Sequence, residues 1–430
     1  MVPDRAWITV NAVLLEDTPW APKGHVVGAT QFEINLDLGG ETGKSGRTRG
    51  MSVGAGNPDS QLSCVQDADA VTVTIDGTAA AAVDAKTGNL QSLSTPSGKS
   101  LLASPLSLNF TRAATDNDQG GIQMLVDCGG APAWAVKALG MVMGTKMFSH
   151  KYKWGLVGLA QSSPPTQVCG SVTTKDASKD ASKTSGEKTS NFTEVTCDAV
   201  TTSSEGGKAI LNTRTVYGVY RNGDVRVRCK VQPANDTVFG GDLPSLARVG
   251  VTLALDSSLF NITYLGKGVG QQAGENYPDR DTAADLGITS TTPAEMHVPY
   301  IFPSENGARG GCSWAAFADE DGEGVLVRAD GDGEGGTFSF SASLHSAGDL
   351  DAAKHTHDLE DRKQGAKGSN VHVTLSHKIM GVGGDLSWLP CVYAPYLVDP
   401  KETYEFGFWL CPLARGQSPV KQAKRRVGGQ

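Results

Sequence analysis

Asn222-Gly-Asp-Val225-Arg-Val-Arg-Cys-Lys-Val231 is the stretch whose reading decides the fold. Its even spacing puts Val225, Val227, Cys229 and Val231 on one face of an extended chain and the cations on the other. Asn222-Gly223 supplies the positive-φ pair that a two-residue hairpin turn needs, and residues 213–221 read as the strand before it. The same grammar recurs in Ala70-Val-Thr-Val-Thr-Ile75, closed by Asp76-Gly77. Val371-His-Val-Thr-Leu375 and Tyr404-Glu-Phe-Gly-Phe408 repeat the alternation. No long stretch sustains a capped 3.6-residue period, so the expectation is an all-β protein with helix as the minority element.

Composition agrees. The 430 residues include 53 glycines with no three-residue period, which fits a chain with many turns. Apolar residues at 39% are enough to bury a sizeable core, which excludes wholesale disorder. Lys+Arg total 38 against 46 Asp+Glu, a net charge of −8, which argues against a nucleic-acid binder. The 8 cysteines are scattered and form no CxxC pair, so they read as structural thiols. No apolar run approaches the length of a membrane span. Residues 6–15 run into Glu16-Asp17 rather than a small-residue cleavage site, so they read as a strand and not a signal peptide. A cytoplasmic location is expected. Four N-x-[ST] sequons, at Asn109, Asn191, Asn235 and Asn261, would accept glycans only in a secreted chain.

Three segments break the strand pattern. Residues 39–61 are rich in Gly, Ser, Thr and Asn and read as a flexible linker. Residues 161–208 are dominated by Ser, Thr, Lys and Asp, a composition that reads as a low-complexity insertion. Residues 414–430, with Lys421, Lys424, Arg425 and Arg426, read as a disordered basic tail. What remains is a short β stub at 1–38 and one large β region at 62–413, a size that suits a large sandwich.

Several stretches carry candidate chemistry, each with a plainer reading beside it. Asp330-Gly-Asp-Gly-Glu-Gly335 opens like a calcium loop, but its twelfth position is Ser341 and not Glu, so an acidic turn is the better account. His355-Thr-His357 offers two imidazoles without an evident third ligand, so no metal site is expected there. Asn109-Phe-Thr-Arg-Ala-Ala-Thr-Asp-Asn-Asp118, followed by Gln119-Gly120-Gly121, packs one cation, two carboxylates and amides into a short loop. Such groups either bind sugar hydroxyls or tie the loop to its own backbone. Glu275, Asp279 and Glu305, from Gly274-Glu-Asn-Tyr-Pro-Asp-Arg280 and Tyr300-Ile-Phe-Pro-Ser-Glu-Asn-Gly307, are candidate paired carboxylates; the alternative is that Arg280 clamps one of them. In Gly381-Val-Gly-Gly-Asp-Leu-Ser-Trp388, the indole is either core or a platform for stacking on a sugar ring.

Taken in order, Phe110-Thr-Arg-Ala with Asp116-Asn-Asp118, Glu275-Asn-Tyr-Pro-Asp-Arg280, Pro299-Tyr-Ile-Phe-Pro-Ser-Glu-Asn-Gly307 and Gly383-Gly-Asp-Leu-Ser-Trp388 resemble one known domain. It is the C-terminal sandwich, or small chain, of β-galactosidases in glycoside hydrolase family two. The likeness runs over 62–413 apart from the insertion. Residues 6–13 and 20–25 resemble the last strands of the immunoglobulin-like domain that precedes it. The resemblance implies a large antiparallel β-supersandwich similar to galactose mutarotase, behind a partial immunoglobulin-like stub. It also implies hydrolysis of terminal β-galactosides with retention, by two glutamates that lie on other domains. Magnesium and sodium are likewise held on other domains in the family. This chain is therefore expected to hold no catalytic residue, metal or cofactor, and to need a catalytic large chain or upstream (β/α)8 barrel as its partner.

By the same resemblance, the chain forms the aglycone wall of the site. Trp388 is the stacking platform, and Arg112, Asp116, Asn117, Asp118 and Gly120 meet the substrate. Glu275, Asn276, Tyr277, Asp279, Arg280 and Glu305 are rim or structural residues. The loop after Asp118 corresponds to a segment that moves as substrate settles, although Ile122-Gln-Met-Leu-Val126 is more apolar than the family pattern. Gln271-Gln-Ala273 lengthens the approach to Glu275. Two alternatives stay open: an aldose epimerase on the same fold, using a histidine base such as His150, His297 or His345 with a glutamate, or a non-catalytic galactoside-binding module.

Overall fold

The computed structural model describes residues 5–35, 60–120, 149–176, 192–204, 207–235, 243–269, 274–281, 285–331, 336–363, 369–384 and 392–425, with isolated positions between 130 and 138. Strands β1 (Arg5–Val13) and β2 (Val26–Asn35) pair with each other alone. Then comes a meander of β3 (Leu62–Gln66), β4 (Ala70–Ile75), β5 (Thr78–Asp84), β6 (Leu90–Leu93) and β7 (Leu102–Asn109). Helices α1 (Asp116–Gln119) and α2 (His150–Val157) lead into β8 (Thr166–Asp176), β9 (Phe192–Thr202), β10 (Ala209–Tyr220) and β11 (Val225–Pro233). Next are β12 (Arg248–Leu255), β13 (Asn261–Lys267), the short pair β14 (Asn276–Tyr277) and β15 (Arg280–Asp281), and β16 (Leu286–Thr291). Helix α3 (Pro293–Met296) precedes β17 (Arg309–Cys312), β18 (Trp314–Ala318), β19 (Gly324–Ala329) and β20 (Phe338–Ser343). Helix α4 (Ala347–Ala352), β21 (Val371–Ile379), β22 (Tyr404–Leu413) and α5 (Pro419–Lys424) complete the order.

Eighteen of these strands form two nine-stranded antiparallel sheets, ordered β16-β13-β18-β19-β22-β11-β10-β9-β8 and β17-β20-β21-β12-β7-β6-β5-β4-β3. One apolar core drawn from both sheets joins them: Val71, Val73 and Val373 from one sheet belong to it together with Val225, Val227, Phe317 and Leu410 from the other. The alternation in β11 does what its sequence dictates, burying Val225, Val227, Cys229 and Val231 while Arg228 and Lys230 stay exposed. The earlier hairpin has the expected positive-φ pair, Asp76 at +52 and Gly77 at +81, but in the turn before β11 Gly223 is at +83 and Asn222 is not at positive φ. There Gly223 N donates to Tyr220 O and Tyr220 N to Asp224 O, a longer turn than the two-residue one expected. The all-β antiparallel sandwich is as expected. Among the described residues, no helix is long and apolar enough to cross a membrane.

Two readings of the sequence need correction. The segment 161–208 is not merely an insertion, because β8 and β9 lie within it as the last two strands of a sheet. In β9, Thr193, Val195, Cys197, Ala199 and Thr201 face inward in strict alternation. Its inward threonines gave the stretch a polar composition; Thr213 on the neighbouring strand donates its hydroxyl to Ala199 O at 3.3 Å, whereas the buried Thr201 hydroxyl has no partner. Residues 177–191, between the two strands, lie outside the described residues, as do 36–59, most of the expected linker. The tail at 414–430 is not wholly irregular either. Helix α5 packs Val420 and Ala423 against Trp314, Leu326 and Trp409, and Arg425 forms an ion pair with the fully buried Asp224.

The β1–β2 pair touches the sandwich at its edge. Gln31 of β2 donates from Nε2 to Leu286 O at 3.0 Å and accepts from Leu286 N at 2.9 Å through Oε1, at the start of edge strand β16.

Candidate functional site

Four sequence motifs, spread over more than 270 positions, meet at one end of the sheets. The first is the turn after β7. Thr115 caps α1 and Asp118 returns the bond, its Oδ2 accepting from Thr115 N at 2.9 Å. Gly120 ends the helix, donating its N–H to Asp116 O. Asp118 also takes the Arg112 guanidinium in a fork, Nε–Oδ2 at 2.9 Å and Nη2–Oδ1 at 2.7 Å, and neither side chain has any exposure. Burial pulls Arg112 down, but the Asp118 charge and hydrogen bonds outweigh it and hold the guanidinium above its ordinary value. Its cation also lies 5.8 Å from the Trp154 ring centroid on α2.

The remaining Arg112 donors reach Met380 O at 2.8 Å and Gly381 O at 2.9 Å. Asn117 Nδ2 donates to Val382 O at 2.6 Å. From the second motif, Asp279 accepts from Val382 N at 3.0 Å and Gly383 N at 2.7 Å. The backbone of 380–383, which leads toward Trp388, is thus held from both sides. The fit is tight: a Cβ added at Gly381 would sit 2.3 Å from Asp279 Oδ2.

Glu275, buried at the start of the second motif, joins it to the third. Its Oε1 accepts from Gly307 N at 2.6 Å and its Oε2 from the Tyr300 hydroxyl at 2.5 Å. Arg280 Nη1 stands 3.7 Å from Oε2 and donates to the Tyr300 oxygen at 3.2 Å, so it clamps Glu275 as the alternative reading held. Burial raises Tyr300, and the Glu275 carboxylate adds to it, so the phenol stays protonated at neutral pH. Asn276 is buried, and its Oδ1 lies where a Cβ on Gly310 would come within 2.1 Å. Glu305 N donates to Ala113 O at 3.1 Å, and its Oε2 meets Arg248 Nη2 at 2.6 Å.

The hollow these residues leave has a volume of 530 Å³ and is lined by Asp116, Asn117, Glu275, Tyr277, Arg280, Tyr300, Phe302, Glu305 and Val382 among others. That is the size of a small-molecule site. The Tyr277 hydroxyl is buried without a partner. Arg112 and Asp118, expected to meet substrate, do not reach the hollow: with no exposure, they brace the turn from inside. Gly120 is buried and does not line it. Asp279 acts on the 381–383 backbone. Gly121, residues 122–126 and 271–273, and Trp388 lie outside the described residues. The sequence reading missed Arg248, whose role depends on a carboxylate far along the chain.

A second hollow of 410 Å³ lies over the sheet of β7, β12, β20 and β21, with Ser and Thr hydroxyls, His345 and His372 on its wall. Glu305 reaches it too, and Glu305 Oε1 and His345 Nδ1 are buried without partners. Of the histidines, burial lowers His150 to about 4 and pushes His297, His345 and His372 below their ordinary value.

A two-sheet antiparallel sandwich with a polar, ligand-sized cleft at the end of its strands defines the class. The sequence family described as beta galactosidase small chain matches residues 76–410, and the one described as beta-galactosidase, domain 4 matches residues 2–35. The chain belongs to the β-galactosidase small-chain family. Over 409 residues it is 26% identical to a β-galactosidase of Vibrio vulnificus (strain YJ016), covering 95% of this chain and 32% of that protein. A β-galactosidase of Yersinia enterocolitica serotype O:8 is 29% identical over 406 residues, covering 94% and 31%. The chain thus spans about a third of the length of the relatives it matches. Among solved structures, a galactose mutarotase-like protein from Lactobacillus casei ATCC 334 is 9% identical with a TM-score of 0.36, covering 82% of this chain and 100% of that one. Nothing rests on so distant a likeness.

Proposed function

We propose that this chain supplies the sugar-facing, non-catalytic wall of a retaining β-galactosidase, with the two bond-breaking carboxylates on protein outside it. The observation that carries the reading is the convergence of the first three family motifs on one polar hollow and on the 380–383 backbone, where the fourth begins. Asn117, Asp116 and Arg280 offer hydrogen-bonding groups to sugar hydroxyls, and Trp388 offers the stacking face. Glu275 is poorly suited to moving protons, because a backbone N–H and the Tyr300 hydroxyl already occupy its two oxygens. Magnesium and sodium belong with the catalytic part in this reading.

The test has two arms. The purified chain is assayed with a chromogenic β-galactoside, where no turnover is expected; robust hydrolysis would refute the missing-catalyst claim. Tryptophan fluorescence is then titrated with galactosides in the parent and in Trp388→Ala. A saturable response in the parent alone is expected, and identical responses remove Trp388 from the site.

The hollow over the sheet favours a second reading, an aldose epimerase. Its histidines are neutral at pH 7, and Glu305 Oε1 has no partner, so a base and a carboxylate share one wall. Accelerated mutarotation of freshly dissolved galactose, lost in His345→Gln, would favour it over the first.

A further inference from the structure

On the surface beside the cleft, a single turn of 3₁₀ helix at Thr356–Asp358 changes the reading of His355-Thr-His357. The two imidazoles stand side by side. They stack 5.1 Å apart at an interplanar angle of 12°. The turn also brings up the third ligand that the sequence did not make evident, Asp358. One donor atom from each of the three residues lies within 4.8 Å of the others. His357 Nε2 is 3.5 Å from Asp358 Oδ1, and His355 Nδ1 is 3.8 Å from Oδ2.

We propose that His355, His357 and Asp358 bind a divalent transition-metal ion of the zinc class. Two imidazole nitrogens and one carboxylate form a donor set suited to zinc, nickel or copper, whereas magnesium and calcium take oxygen ligands. The carboxylate is prepared for the task. Asp358 Oδ2 accepts from Lys354 N and His355 N, both at 2.9 Å, and these backbone bonds fix its orientation as outer-shell partners do. All three side chains are exposed, so an ion can enter without opening the fold and keeps water at its remaining position.

The site is wired to the cleft. Thr356, between the two histidines, donates its hydroxyl to Tyr300 O at 3.0 Å, and the Tyr300 phenol bonds Glu275. An ion that fixes the turn therefore also restrains the segment carrying Tyr300.

The experiment is equilibrium dialysis of the metal-free, reduced chain against Zn²⁺ alone, repeated with His357→Ala and with the double variant His355→Ala/His357→Ala. One ion per chain is expected, with affinity falling at least about tenfold in the single variant, the scale on which even outer-shell partners act. Excess Mg²⁺ is expected not to displace it. Because these side chains are exposed, the variants should melt with the metal-free parent. Cobalt substitution separates the site from the cysteines: nitrogen and oxygen ligands give visible d–d bands without thiolate charge transfer. Equal Zn²⁺ uptake by parent and double variant, a thiolate band as the sole cobalt signal, or displacement by equimolar Mg²⁺ would each overturn the proposal.

Discussion

Replacing Asp118 with Ala is the sharpest perturbation of the cleft end of the molecule. Both members of the Arg112–Asp118 pair are without exposure, so the variant leaves a guanidinium in the interior with only Met380 O and Gly381 O as acceptors. Breaking a buried pair from one side costs about 3–5 kcal/mol. Losing the reciprocal cap at Thr115 adds about 1 kcal/mol. Asp118→Ala should therefore lower sandwich stability by about 4–6 kcal/mol. Arg112→Met combined with Asp118→Leu removes both charges and should cost far less than the sum of the single changes. Urea unfolding followed by tryptophan fluorescence measures this, and hydrogen exchange of a peptide covering 380–384 reports release of the loop. Since water does not reach the pair, 1 M salt should leave the penalty unchanged. A cost below about 1 kcal/mol, or one that vanishes in salt, would show that the pair does not hold this end together.

Gly381→Ala places a methyl 2.3 Å from Asp279 Oδ2 and must displace that carboxylate from Val382 N and Gly383 N. A loss of about 1–3 kcal/mol by thermal melting and weaker galactoside binding are expected. Acid should destabilise the fold through His150, whose value falls from 6.5 to about 4 on burial. Above pH 6.5 the imidazole is neutral in both states and contributes nothing; between 6.5 and 4 the unfolded chain takes up a proton that the folded one resists. Stability therefore falls with falling pH, by at most roughly 3 kcal/mol from this group, and His150→Phe should flatten the curve in that window. Arg425→Ala removes the cation paired with the buried Asp224 and should lower stability by about 3 kcal/mol, whereas a dispensable tail would show no shift.

How much of this was legible depends on where each residue finds its partner. Val225–Val231 and the Asp76-Gly77 turn carry their instructions locally, in alternation and in a positive-φ pair, and both read correctly. The four motifs were also legible as a set. Whether Arg112 points inward or outward was not, because its burial is decided by carbonyls 268 and 269 positions away. Strand β9 was hidden by threonines that look like solvent residues, although Thr193 and Thr201 face inward. Helix α5 was hidden because what anchors it, Asp224, lies 201 residues upstream. Asp358 was adjacent in sequence, but only the 3₁₀ turn brings its oxygens toward both rings.

The side chain of Gln31 imitates a neighbouring strand. An amide carries one acceptor and donors in the same arrangement as a peptide unit, and Gln31 offers both to Leu286 at the open margin of a nine-stranded sheet. A second molecule seeking to extend that ladder by docking an extended segment meets a position already satisfied. An Ala in its place would leave the N–H and C=O of Leu286 without the Gln31 amide.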